Sequence, residues 1–293
     1  MNKIIIPTGY MGSGSSAITD LIAEFKGYSA DRGSFEYIFL HCPNGVFDLE
    51  DKLLTGNNAI RSDEAIHSFE AAMKELFESR YWWPGNYKEN LSPEFMELTE
   101  EYIDSITEFT SDSYWYMQQK LDEGKLRKAL IQGAVSKVTG GKVKFKRPLM
   151  YEPMKLCLMS PEEFYDKSRQ YIRKLVTELG IEQKNLILDQ LLLPFNLWRM
   201  GNYFDDNAEC FVIERDPRDV FYMNKYIWSA KNDAVAYPLD AEMFCKYYKK
   251  MRNTEKPADS SHIHRIRFED LIYRYDETVK KVLDSLGLSP EDH

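Results

Sequence analysis

The chain has 293 residues, 43% of them hydrophobic and 14% aromatic, which suffices for a large core and excludes a disordered chain. Its formal charge of −9 disfavours broad nucleic-acid binding, so an anionic ligand has to be met by a local pocket of donors. No run of about 18 apolar residues is present to span a membrane, and Met1-Asn2-Lys3 leads straight into Ile4-Ile5-Ile6 without a secretory pattern, which predicts a cytoplasmic protein.

Lys3–Thr8 is a short apolar run ending in a turn signal, and reads as the first strand. A glycine- and serine-rich loop follows, and then Ile18, Leu21, Ile22 and Phe25 mark one face of a helix. Phe35–Leu40, rich in aromatic and β-branched residues, is predicted as a second strand. Residues from about 55 to 158 are less regular and read as helices and loops inserted before the third strand. Their aromatic clusters Tyr81-Trp82-Trp83 and Tyr114-Trp115-Tyr116 fit a core role better than a sugar-stacking one.

Ser160-Pro161-Glu162-Glu163 is a capping box with proline at the first helical position. The apolar stripe Phe164, Tyr171, Ile172, Leu175, Val176 and Leu179 continues that helix to a stop at Gly180. Asn185–Leu192, Cys210–Arg215 and His262–Phe268 are the remaining predicted strands, and Asp276 to Leu286 is a final helix stopped by Gly287. Strands separated by helices predict an α/β chain: a P-loop-like three-layer sandwich with a mostly parallel central sheet, residues 1–293 forming one domain with a helical insertion. The four cysteines, Cys42, Cys157, Cys210 and Cys245, lie far apart without zinc spacing and read as reduced.

The loop Gly9-Tyr10-Met11-Gly12-Ser13-Gly14-Ser15-Ser16 joins a strand to a helix. Glycines let successive N–H groups turn inward, the helix N-terminus adds partial positive charge, and Ser15 and Ser16 carry hydroxyl donors. The pattern suits a phosphate. Against the P-loop spacing, the glycines at 9 and 14 and the serine at 16 fit, but Ser15 replaces the lysine that grips a nucleoside triphosphate.

These residues resemble the sulfotransferases that use 3′-phosphoadenosine 5′-phosphosulfate (PAPS). Gly12-Ser13-Gly14-Ser15-Ser16 fills the place of that family's first-strand loop. Cys210-Phe211-Val212-Ile213-Glu214-Arg215-Asp216-Pro217-Arg218-Asp219-Val220 is similar to its strand ending in arginine and followed by a helix. Ile266-Arg267-Phe268-Glu269-Asp270-Leu271, then Asp276-Glu277-Thr278 and Leu286-Gly287-Leu288, resemble its late strand-to-helix stretch. The resemblance implies that the first loop holds the 5′-phosphosulfate and that Arg215 pairs with the 3′-phosphate through parallel hydrogen bonds; the alternative for Arg215 and Arg218 is ordinary salt bridging with Asp216, Asp219 or Glu214.

Three departures accompany the resemblance. Gly12 stands where the family has a basic residue, and Met223 where it has a serine, leaving Tyr222 or Asn224 as the 3′-phosphate donor. The sequence runs to Pro290-Glu291-Asp292-His293, where relatives continue into a closing loop. Candidates for the replacement cation are Arg32, Arg61 and the cluster Lys142, Lys144, Lys146, Arg147, which otherwise reads as a solvated basic stretch.

Sulfuryl transfer depends on positioning, on charge stabilisation and on a base for the acceptor hydroxyl or amine. Glu36 in Gly33-Ser34-Phe35-Glu36-Tyr37-Ile38 is the first candidate base by resemblance to glycan sulfotransferases, with His41 second. Asp189 and Gln190 fall near the end of the third strand, where open α/β sheets gather ligands. No metal-ligand spacing is present and none is expected. The expected partners are PAPS and a carbohydrate acceptor. A P-loop kinase using ATP and a non-catalytic nucleotide-binding relative are the alternatives.

Overall fold

The computed structural model describes residues 2–30, 35–112, 115, 119–120, 122–145, 148, 152–231, 235–258 and 261–293. Its centre is a five-stranded sheet built from β1 (Ile4–Gly9), β2 (Tyr28–Ser29), β5 (Asn185–Ile187), β6 (Ala208–Glu214) and β7 (Ile263–Arg267). The spatial order is β2-β5-β1-β6-β7, and every pairing in it is parallel. The chain leaves β1 toward β2 on one side and later returns across β1 to β6 and β7 on the other. That reversal puts the C-terminal end of β1 at the crevice where open α/β sheets bind ligands.

Both faces of the central strands β1 and β6 are covered, which is why those two read as mostly apolar runs. Ile5, Phe211 and Ile213 pack beneath α1 (Ser15–Ala23) and α12 (Tyr275–Leu286) through Ile18, Ile22, Val282 and Leu283. Ile4, Ile6, Cys210 and Val212 face the other way into a larger core. That core takes in α2 (Val46–Leu54), α3 (Ala59–Glu78), α4 (Tyr87–Asn90), α5 (Phe95–Ile106), α7 (Pro161–Glu178) and α8 (Met200–Tyr203). The three layers are the expected α/β arrangement. The capping box at Ser160 and the stops at Gly180 and Gly287 form as the sequence requires, both glycines having positive φ.

The segment between β2 and β5 also holds a small antiparallel pair, β3 (Phe109–Ser111) with β4 (Met154–Leu156), that the irregular pattern did not announce. Helix α6 (Glu123–Val138) lies between those strands and buries none of its residues. The C-terminal third adds α9 (Pro217–Tyr222), α10 (Ala241–Arg252) and α11 (Phe268–Tyr273) around β6 and β7. Among the described residues no helix is long and apolar enough to cross a membrane, and the four cysteines are unpaired.

Three expectations need correction. Phe35–Leu40 is not a strand: Phe35, Tyr37 and Phe39 are buried against Tyr87 and Tyr171 of the helical layer. One of its backbone amides goes to the Tyr87 hydroxyl instead of a strand neighbour. The strand predicted at Asn185–Leu192 ends at Ile187, although Leu188 and Gln190 still donate to β1 carbonyls before Gln190 turns the chain at φ 59°. Tyr81, Trp82 and Trp83 are exposed rather than core, and so is Trp115, whose neighbours Tyr114 and Tyr116 lie outside the described residues.

Candidate active site

The loop between β1 and α1 turns twice through left-handed backbone, at Gly12 (φ 84°) and Gly14 (φ 88°). Both glycines also carry aromatic rings at close range. A Cβ on Gly12 would lie 2.8 Å from Trp228, and one on Gly14 2.6 Å from Phe268. Gly14 is the N-cap of α1 and offers no side-chain cap; the Ala17 amide donates to the Gly14 carbonyl at 3.1 Å, while the amides of Ser15 and Ser16 have no capping oxygen. A helix start of this kind can receive an anion. Ser16 is exposed in the first turn and Ser15 half-buried. Ser13 is different: its side chain is buried under the loop against Gly9, its Oγ without a partner, so it serves the loop through its backbone.

Gln190 fixes Ser15. Its side-chain nitrogen donates to the Ser15 hydroxyl at 2.9 Å, and its side-chain oxygen accepts from Thr8 at 3.1 Å. The residue that replaces the P-loop lysine is therefore tied to the end of β5. Tyr10 anchors the other end of the loop. Its ring lies under the Arg252 guanidinium at 4.0 Å, and its hydroxyl donates to Glu255. Arg252 and Arg265 each bridge Glu214 and Glu255, so both cations are neutralised.

Arg215 is not. It follows β6 directly, half-buried, with its guanidinium 4.6 Å over the Phe268 ring. It donates to the Gly12 carbonyl at 3.4 Å, and its Nε is enclosed without a partner. Among the described residues no carboxylate pairs with it. A cation without a counter-ion stands beside an uncapped helix N-terminus. Arg218, by contrast, is exposed and closed onto Asp216.

The candidate bases lie across the loop from this cation. Glu36 is half-buried, and burial pushes its carboxyl above the usual range. The amide of Tyr37, next in the chain, donates to the Asp189 carbonyl at 2.9 Å. The Asp189 carboxyl is buried and unpartnered at Oδ1. Burial first, then the Glu36 charge, pushes it up to about 7.

His41 Nε2 lies 2.8 Å from the Gln190 carbonyl, which can only accept, so this nitrogen carries the proton. Burial lowers the affinity of His41 for a second proton. It braces the Gln190 turn instead of facing an acceptor, which removes it from the role of base.

Other sequence candidates are placed elsewhere. Asn224 is fully buried, and its amide is held by both backbone groups of Tyr237; it packs the turn and offers nothing to a phosphate. Arg61 is bound to carbonyls of Asp51 and Lys52 near the end of α2. Lys142 and Lys144 are exposed in the insertion, while Arg32, Lys146 and Arg147 lie outside the described residues. Trp228 and Phe268, which wall the loop, were not singled out in the sequence. A glycine needing positive φ signals a turn but not the ring that presses on it. Among the described residues no group of three or more His, Cys, Asp or Glu side chains gathers as for a metal.

Fold and site together define an α/β protein with a mostly parallel central sheet and a glycine-rich loop between β1 and α1. No family profile and no curated protein matches the chain. Two solved structures are similar over 99% of its length, and both are sulfotransferases. One is the sulfotransferase domain from the curacin biosynthetic pathway, 15% identical, 76% of it covered, with a TM-score of 0.42. The other is sulfotransferase STF1 from Mycobacterium tuberculosis H37Rv, 14% identical, 69% covered, with a TM-score of 0.37.

Proposed function

We propose that this chain is a sulfotransferase, moving a sulfuryl group from PAPS to a hydroxyl or amine of a carbohydrate acceptor in the cytoplasm, with residues 1–293 acting as one unit. The observation that carries the reading is Arg215, a guanidinium with no counter-ion among the described residues, next to the start of α1 that no side chain caps. Two separate anion-binding groups at one crevice suit a donor with phosphate at both ends of its ribose. The orphaned Arg215 Nε, and a loop closed to any side chain at Gly12 and Gly14, fit such a donor.

The amides of Gly12, Gly14, Ser15 and Ser16 with the Ser15 and Ser16 hydroxyls would hold the phosphosulfate, the Ser13 amide being bound to the Tyr10 carbonyl at 2.7 Å, and Arg215 the 3′-phosphate. When bound, PAPS supplies the activated sulfuryl group and a stable leaving phosphate. The loop amides then face the oxygen on which charge develops, which offsets the lack of a basic residue at Gly12. Glu36 accepts the proton of the attacking acceptor group, and its burial makes it a better base than an exposed carboxylate. Trp228 and Phe268 keep water from the loop.

Transfer of labelled sulfate from PAPS to a panel of sugars tests the reading. Glu36→Gln is expected to lower the rate by about 10²–10⁴-fold with 3′,5′-ADP affinity retained. An unchanged rate removes Glu36 from the role. Thermal stabilisation by ATP with magnesium but not by 3′,5′-ADP would overturn the donor.

A further inference from the structure

Helix α6 of the insertion carries its apolar side chains on the wrong side for a surface helix. Its sheltered side runs through Lys125, Ala129, Gln132, Val135 and Thr139, all half-buried, and three of these are polar. On that side Lys125 shares a hollow with His67 of α3, and Lys128 reaches Glu152 at 3.5 Å. The opposite side carries Leu126, Leu130, Ile131 and Val138, all exposed, Leu130 at 75% and Val138 at 86%. Steps of four residues set Leu126, Leu130, Ala134 and Val138 in one row, with Ile131 beside it. A surface helix ordinarily turns its apolar row to the core. Here the row points away from the protein, which marks a contact surface.

The charge around the row is as unusual as its direction. Residues 123–147 contain eight Lys or Arg and one acid, Glu123, in a chain whose total is −9. Arg127 and Lys137 are exposed and fall within the apolar side. Leu130 and Ile131 stand three and four residues beyond Arg127, and Ala134 three before Lys137. Lys142 and Lys144 continue the basic run past the helix, with Val143 exposed between them.

That combination selects the occupant. Across a two-fold axis, a second copy would set two basic faces against each other. Nucleic acid would match the cations and leave the apolar row in water. A folded acidic protein would have to bury a carboxylate opposite each cation inside an apolar contact, at a desolvation cost. A lipid interface takes both at once, because the acyl region receives the row while long Arg and Lys stems carry their charges up to the headgroups.

We infer that α6 docks this chain on an anionic phospholipid bilayer. The helix lies in the headgroup plane, with Leu126, Leu130, Ile131 and Val138 inserted and with Arg127 and Lys137 reaching lipid phosphates. Among the described residues no helix can cross the membrane, so the docking is peripheral and is set by the charge of the lipid. The inference uses no residue of the anion loop and does not rest on the transfer reading.

Flotation of the full chain with phosphatidylcholine vesicles, with and without phosphatidylserine, tests it. Binding is expected only where phosphatidylserine is present, and it should fall as salt is raised. Arg127→Gln combined with Lys137→Gln is expected to weaken that binding at least about tenfold, and Leu130→Gln combined with Val138→Gln by about as much. Both double variants should melt with the wild type, since every replaced side chain is exposed. No binding to either vesicle, equal binding to both, or wild-type binding by either double variant overturns the inference. Self-association in sedimentation without vesicles, lost in the Leu130 and Val138 double variant, would assign the face to a second copy. Retention on an acidic polypeptide without vesicle binding would assign it to an acidic protein, and each of these results also overturns the inference.

Discussion

Asp189 illustrates how a single buried carboxyl ties stability to pH. Its carboxyl lies near 7 in the folded chain against an ordinary value of 3.8. Between those two values the folded chain binds more protons than the unfolded one. Stability therefore falls as pH rises through that window, and the penalty is complete above it. The gap corresponds to a penalty of up to about 4 kcal/mol. Asp189→Asn removes the ionising group, so the variant is expected to be more stable than wild type near pH 8, and by much less near pH 4. Urea unfolding at both pH values checks this; an equal difference at the two would show that ionisation is not the cause.

At this scale the sequence separated roles unevenly. Arg215 and Glu36 stand out in the sequence because each sits at a fixed offset from a motif, and their roles rest with the proposal. The places of Asn224 and His41 were not legible, because their partners are remote or structural: the Gln190 carbonyl lies 149 residues from His41, and Asn224 is spent on a turn at Tyr237.

The strand–loop–helix element makes the cradle, and its glycines are its weak points. Gly14 combines φ 88° with a ring 2.6 Å from the place of a Cβ. Gly14→Ala must pay for left-handed strain and also push Phe268 from beneath Arg215. The expected loss is about 1–3 kcal/mol of stability, together with most of the affinity for 3′,5′-ADP. Gly56, with φ 63° and open space around it, is the control: Gly56→Ala should cost strain without touching binding. Thermal melts of both variants with and without 3′,5′-ADP separate the two effects.

Elements with a sharp local signal were readable, among them β1, β6, the capped α7 and the glycine-stopped α12. Phe35–Leu40 was misread because aromatic and β-branched content marks side chains that go inside, not whether sheet or helices receive them; here the receiving rings belong to α4 and α7. The β3–β4 pair was missed because its strands are 3 residues each and more than forty residues apart.

For the whole molecule, the mostly parallel sheet was implied by alternating strands and helices, whereas its reversal at β1 and the side chains that complete the crevice depend on which strand ends meet there. Gln190 reaches Ser15 because β5 adjoins β1, and Arg215 reaches Gly12 because β6 adjoins it on the other side. An overall charge of −9 opposes an anionic ligand at long range, so affinity has to come from these short contacts. Calorimetric titration of the intact chain and of Arg215→Ala with 3′,5′-ADP measures that directly. The expected result is one site per chain in the wild type, weakened at least about tenfold by loss of a charge-assisted pair. Absence of binding to the wild type, or equal affinity in both proteins, would contradict it.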